Sequence, residues 1–491
     1  MHYIIFLASL LLLTACGAPD NAAIRFGLAA APVNLDPRQA TDAASSRINR
    51  LLYRGLVDFD AALRPVPDLA DWRVRDALEL EYELTLRPDR PDFHHQRPLT
   101  AHDVKATYDW ILHAENASPL RGNLQIIREI EIVDNNTLIF KLNKADLLFP
   151  TRLTVGIVPH DLHDHRFTRH PIGNGEFEFI QWQEDNRLTL RRRHDGQLVT
   201  FYEVKDPVVR SLKLIHAELD LIQNDLSPEL VTWLSQQKSV KVETRTGSNF
   251  AYLGFNLQDP LTQQLTVRRA IAHAIDREAI IKYVMGNAAD LAHGLLPPHH
   301  WAGQTVNHYE YNPELARQLL ASIDKSMPLM LSYKTSNNPF RVRLASVIQQ
   351  QLEAVGLTVS LQTYDWGTFY GDIKQGRFQM FSLAWIGIKT PDIFRYAFHS
   401  EAQPPNGANR GRFVDPIVDQ FIEQAEQAQE LETQANLYRQ LQTYLHEQLP
   451  YIPLWYEDHI LVYNKRLHGY SLAADGNYDG LKTATLITPS H

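Results

Sequence analysis

The segment from Met327 to Leu361 constrains the fold more than any other part of the chain. Met327 to Tyr333 is apolar and short enough for one strand, and Leu357 to Leu361 repeats that character. Between them, Leu344, Val347, Ile348, Leu352 and Val355 fall on one face of a helix from Arg341 to Val355, which Gly356 ends. A strand, a helix and a strand in that order place two parallel strands in one sheet, with the helix covering a face. Ligands of such open sheets sit beyond the carboxyl ends of the strands. The segment therefore indicates both a fold class and a place to look for a site.

The first half of the chain has another rhythm. Ala23 to Leu28 is a short apolar strand, and Leu78, Leu80, Tyr82, Leu84 and Leu86 alternate with polar residues, as in a strand with one buried face. Thr100-Ala101-His102-Asp103 is a capping signal for a helix beginning near residue 101, with Val104, Thr107, Tyr108 and Ile111 at helical spacing. Ile130 and Ile132 face Leu138, Phe140 and Leu142 across Asn135-Asn136, a pair that tolerates positive φ and suits a hairpin turn. Later, Val267, Ala270, Ile271, Ala274 and Ile275 form an apolar helical face, and Asp276 caps a following helix that Gly286 ends. Helices run from Asp415-Pro416 to Leu449 with a break near residue 430, and Ile460 to Tyr463 and Ala484 to Ile487 are strand-like.

The amino-terminal end reads as a targeting segment. Ile4 to Leu13 is an apolar run, too short for the roughly 20 residues a bilayer span needs. Leu13-Thr14-Ala15-Cys16-Gly17 follows it and resembles the lipobox of bacterial lipoprotein signal peptides. Cys16 is the single cysteine, so a lipid on it leaves no thiol for disulfides, catalysis or metal binding. Acidic residues outnumber basic ones, 57 to 48, for a net charge of −9, which argues against nucleic acid as a partner. Arg191-Arg192-Arg193 ends an alternating stretch and reads as a solvated strand end.

Several segments resemble the family 5 extracellular solute-binding proteins, which include the dipeptide, oligopeptide and nickel binders of ABC importers. Asn34-Leu35-Asp36-Pro37, Asn49 to Val57 and Pro65 to Ala70 are similar to the family's opening, and Phe93-His94 with Leu99 to Val104 to the start of its small subdomain. Pro171-Ile172-Gly173-Asn174-Gly175-Glu176-Phe177 resembles its Gly-Thr-Gly-Pro-Tyr turn, with Asn174, Glu176 and Phe177 in place of Thr, Pro and Tyr. Tyr252 to Asn256, Val267 to Ile271 and Ala274 to Glu278 carry the most specific likeness, a strand crossing between lobes and then a helix.

The resemblance implies two pocket tryptophans, Trp366 and Trp385; buried core positions are the plain alternative. Peptide binders of the family usually have an aspartate three residues after the second tryptophan, where it meets the ligand's amino terminus. That position is Ile388 here, and Asp392 is the nearest carboxylate beyond it. Asn409-Arg410 offers a guanidinium fork for a ligand carboxylate, or a surface salt bridge. Asn34 completes the candidate ligand residues. His160, His163, His165 and His170 cluster without any known metal-ligand spacing and read as a histidine-rich loop, as do His94-His95 and His299-His300. No nucleophile elbow, zinc-protease helix or phosphate loop is present.

The resulting expectation is an α/β, two-lobe periplasmic-binding-protein fold (type II-like) with an extra α+β subdomain and a hinge of crossing strands. Residues 1–16 are the lipoprotein signal peptide. Residues 17–254 with 459–491 form lobe I, its subdomain at about 55–168, and residues 255–458 form lobe II. The protein is expected to be a monomer without cofactor, metal or catalytic residues, held outside the cytoplasm by lipid on Cys16. It would bind a short peptide or similar small solute and pass it to an ABC permease and ATPase. A ligand sensor or chaperone of the same fold, or an importer component for a non-peptide solute, is the alternative.

Overall fold

A computed structural model describes residues 23–487, except 61, 76–79, 163–164, 185, 325–327 and 406. Cys16 and the segment around it lie outside the described residues, as do Leu78 and His163.

The βαβ unit forms as the sequence implies, with shifted limits. Strand Met330–Ser336 pairs in parallel with Thr358–Tyr364, joined by helix Pro339–Glu353. The helix starts two residues earlier than its apolar face suggests, because Asn338 caps it by accepting from Phe340 and Arg341 N–H and Pro339 fits the first turn. These strands begin one main sheet. Its order runs Thr358–Tyr364, Met330–Ser336, Met380–Trp385, Val240–Phe255, Tyr451–Asn464, Leu221–Gln223, Ile24–Leu28, Leu198–Glu203, Arg187–Arg192 and Phe177–Gln183. A second sheet, Ala70–Val74, Glu81–Leu86, Thr137–Leu142 and Ile127–Ile132, is covered by helix Ala101–Leu112 and forms the α+β subdomain. Thr100 and Asp103 close the expected capping box.

The two central strands, Val240–Phe255 and Tyr451–Asn464, run antiparallel through both halves of the main sheet. Only Ile460 to Tyr463 of the second stands out in sequence, because its first half is apolar on both faces and lacks alternation. Pairing runs from Val240 opposite Asn464 to Arg245 opposite His459, breaks, and resumes at Asn249 opposite Glu457. Gly247 sits in the break, where a Cβ would collide with the Glu457 carbonyl. Beyond it, Ala251, Leu253 and Phe255 join the core under helices Leu265–Ala274 and Pro339–Glu353, while Phe250 and Tyr252 face the core under Pro416–Gln427 and Leu431–Gln448.

Three local expectations are corrected. The hairpin at Asn135-Asn136 has no positive φ; Asp134 accepts from Asn136 N–H and shapes the turn instead. Arg192 is not a solvated strand end: it is 1% exposed, bonded to Asp195 and to the carbonyls of Leu481 and Ala484. Gly173 and Gly175 serve close approach, not turn conformation, since a Cβ on either would strike the backbone of Leu51 or Leu52. Between them, Asn174 accepts from Arg54 N–H at 2.8 Å. No helix among the described residues is long and apolar enough to cross a membrane.

Candidate ligand-binding site

Trp366 and Trp385 both stand at carboxyl ends of parallel strands, the position an α/β sheet reserves for ligands. Trp385 ends strand Met380–Trp385, and Trp366 opens helix Trp366–Gln375, capped by Asp365. Trp366 is 57% exposed and lies flat on Tyr370, with centroids 5.4 Å apart and planes 7° apart. The Arg410 guanidinium stands over both Tyr370, at 5.5 Å, and Trp385, at 4.5 Å. One cation thus connects the two indoles through Tyr370.

Behind Trp385 the stack continues to Tyr252, 6.5 Å away and nearly parallel, and from Tyr252 to Tyr451 at 4.0 Å. Arg410 donates from Nη1 to the Tyr252 hydroxyl at 3.0 Å and from Nη2 to the Tyr370 hydroxyl at 3.3 Å. It is 5% exposed, and among the described residues no carboxylate pairs with it. A buried guanidinium is tolerable only when its N–H groups are bonded and its faces covered, which two phenols and two rings accomplish here. Burial pushes the phenols of Tyr252 and Tyr451 up, so they stay neutral and act as dipoles, not counter-ions.

A cavity of about 140 Å³ opens between Trp366, Phe369, Tyr333, Ser382 and Ile386. An apolar cavity of about 150 Å³ is enough to hold a benzene ring, so a ring-sized group fits. Strand Met330–Ser336 pairs with Met380–Trp385 only at Tyr333–Met380 and Lys334–Phe381, while the crossing strand follows it to Phe250 opposite Trp385. From Ser382 to Trp385, the edge beside the cavity therefore has backbone groups outside the ladder. Exposed Ile386 extends the apolar rim.

The other sequence-selected residues are dispersed. Asn409 lies near Arg410 in sequence, but its amide donates to the carbonyls of His399 and Phe413 and accepts from Phe413 N–H, which fixes the loop from beneath. Asp392 caps no N–H; it accepts from the Thr390 hydroxyl and faces Arg152 at 3.6 Å. It lines a separate cavity of about 460 Å³ between residues 122–152 and 392–426. Tyr396 borders that cavity and meets Trp385 edge-on at 6.0 Å; Trp385 itself lines neither cavity and packs with Phe250 and Tyr252. Asn34 accepts from Asp36 N–H in a loop after the first strand and lines neither cavity. Ile388 is 6% exposed within the aromatic core. His160 bonds Asp103 at 2.7 Å, and no described group of three or more His, Cys, Asp or Glu side chains could hold a metal.

Residue-by-residue reading missed Tyr370, Tyr451 and Lys389. Tyr370 was findable, four residues after Trp366 on the same helical face. Lys389 extends from the loop beyond Trp385 to residues far away in sequence. Its Nζ lies 2.9 Å from Asp475 and 5.3 Å over the Phe59 ring. Burial pushes Asp475 up, yet Lys389 overrides this and holds the carboxyl below its ordinary value.

A model of the bacterial extracellular solute-binding proteins, family 5 Middle, matches residues 64–406. The chain is 28% identical over 467 residues to the dipeptide-binding protein of Escherichia coli K12, covering 85% of this chain and 86% of that one. It is 27% identical to a probable di/tripeptide-binding protein 5 of Pseudomonas aeruginosa, across 98% of both. Among solved structures, an ABC transporter substrate-binding protein from Listeria monocytogenes superposes with a TM-score of 0.84 at 22% identity, across 95% of this chain and 99% of that one.

Proposed function

The chain belongs to the bacterial extracellular solute-binding proteins of family 5, and from that premise we propose that it binds a short peptide between two lobes and delivers it to an ABC importer. It is a binding component, not an enzyme. The observation that carries the peptide reading is the edge of Ser382–Trp385, lying outside the ladder beside a ring-sized cavity. An extended peptide can pair with such an edge through its backbone whatever its side chains, while the cavity takes one side chain. We assign residues 17–254 with 459–491 to one lobe and 255–458 to the other, with the crossing strands as hinge. Trp385, Trp366 and Arg410 are the residues we assign to the site: Trp385 as the contact surface, Trp366 as its rim, and Arg410 as the pillar that orients both. Asp392, Asn409 and Asn34 have supporting roles at most, given their partners. Lipid on Cys16, at the end of the signal segment 1–16, and a monomeric state complete the proposal.

A thermal-shift screen of residues 17–491 against di- to hexapeptides, single amino acids, sugars and divalent metals tests it. A ligand at about one hundred times its Kd should stabilise the folded protein by about 2.7 kcal/mol. Stabilisation by peptides supports the reading; a response confined to another class keeps the family and overturns the peptide.

A further inference from the structure

Lys389 belongs to the loop that leaves Trp385, yet every polar or ring contact of its ammonium is on the opposite lobe. Its Nζ meets Asp475 at 2.9 Å and covers the Phe59 ring. Asp475 lies in a turn that is itself fixed. Its carboxylate accepts from Asn477 N–H, Gly476 O accepts from Gln223, and Gly476 packs so tightly on the His459 ring that a Cβ would collide with it. On the other side, His300 bonds the Lys389 carbonyl at 3.0 Å. Both ends of the ion pair are therefore braced, one to each lobe. Other ion pairs join the same two groups of residues, Arg343–Glu229 at 2.5 Å, Arg152–Asp392 at 3.6 Å and Lys144–Glu426 at 4.0 Å, but none of them belongs to the loop that leaves Trp385.

We propose that Lys389 is a latch: its ion pair with Asp475 holds the two lobes together and sets the ratio of open to closed molecules before ligand arrives. The inference rests on the two-lobe trap reading. A ligand must prefer the closed form in order to shift the population, and any closure supplied by the chain itself lowers the preference the ligand must bring. Because Lys389 sits four residues after Trp385, a ligand that moves the Trp385 loop also moves the latch. Both side chains retain partial exposure, 24% and 19%, so the effect is modest and salt-sensitive.

The test is double electron–electron resonance on the full chain in detergent, with spin labels at Asn135→Cys and Thr433→Cys, one in each lobe. Lys389→Met and Asp475→Asn should each raise the open-to-closed ratio about fivefold at low salt, with the double variant no larger than either single one. Raising NaCl to 1 M, where the screening length falls to about 3 Å, should open the parent protein similarly and leave Lys389→Met unchanged. Two distance populations whose ratio ignores both substitutions would overturn the latch and leave the trap standing. A single narrow population in every sample would sink the trap reading itself.

Discussion

The two walls that meet at Trp385 are built from different materials. One wall is a run of rings around one cation: Trp366, Tyr370, Arg410, Trp385, Tyr252 and Tyr451. The facing wall presents ions, with Asp475 on Lys389 and Arg50 held by Asp58 and Asp479. Ring contacts are short-ranged, indifferent to salt and tolerant of the side chain they meet. Ion pairs act farther and weaken with screening. On the proposed reading the difference is a division of labour, with the rings assigned to ligand and the ions to how readily the lobes come together.

The largest effect should come from the rings. Trp385→Ala is expected to remove about 3 kcal/mol of peptide affinity, roughly a hundredfold in Kd by calorimetry; unchanged affinity would refute the pocket assignment. Acid should have the next largest effect, on the stability of the fold around the ion pair. His300 and His459 brace the two ends of the ion pair, and burial lowers both from 6.5 to about 4. The unfolded chain therefore holds more protons between pH 4 and 6.5, so stability falls as pH drops through that window, by about 2 kcal/mol per histidine near pH 4.5. Urea titrations at pH 7 and 4.5 measure the loss, which His300→Gln should reduce.

Arg410→Met should cost about 1 kcal/mol of affinity, because it removes the cation that orients Trp385 without touching ligand. Near-ultraviolet circular dichroism should register a looser indole in that variant, and an unaltered spectrum would count against the pillar role. Trp366→Ala should have the smallest effect, under about 0.7 kcal/mol, as an exposed rim ring. A loss matching that of Trp385→Ala would show the rim and the floor to be equivalent and dissolve the comparison.

Local chemistry made much of this legible in the sequence. The βαβ unit, the capping box at Thr100 and the cap at Asp276, which accepts from Ala279 N–H, follow from neighbours in the chain, whereas Trp366 and Trp385 stood out only through the family resemblance. What escaped depends on partners far away. The pairing of Val240–Phe255 with Tyr451–Asn464 joins residues some two hundred positions apart, and the first half of the later strand, apolar on both faces, offers no alternation to read. Arg192 looks solvated until the carbonyls of Leu481 and Ala484 arrive around it. Lys389 and Asp475 have nothing in their own surroundings to suggest each other.

The irregularity at Gly247 has a consequence for how such a chain can change length. Between Arg245 and Asn249 the first crossing strand has three residues where its partner, between His459 and Glu457, has one. The surplus at this bend is two, and a second shift between Ala251 and Tyr252 leaves one extra residue on the partner; Phe250 and Tyr252 point toward Trp385's side and Ala251 and Leu253 away from it. Losing or gaining a single residue there would exchange the two sets and turn the aromatic floor toward the opposite face of the sheet. A change of length at this bend in steps of two keeps the aromatic floor where it is, a parity that no property of the individual residues reveals.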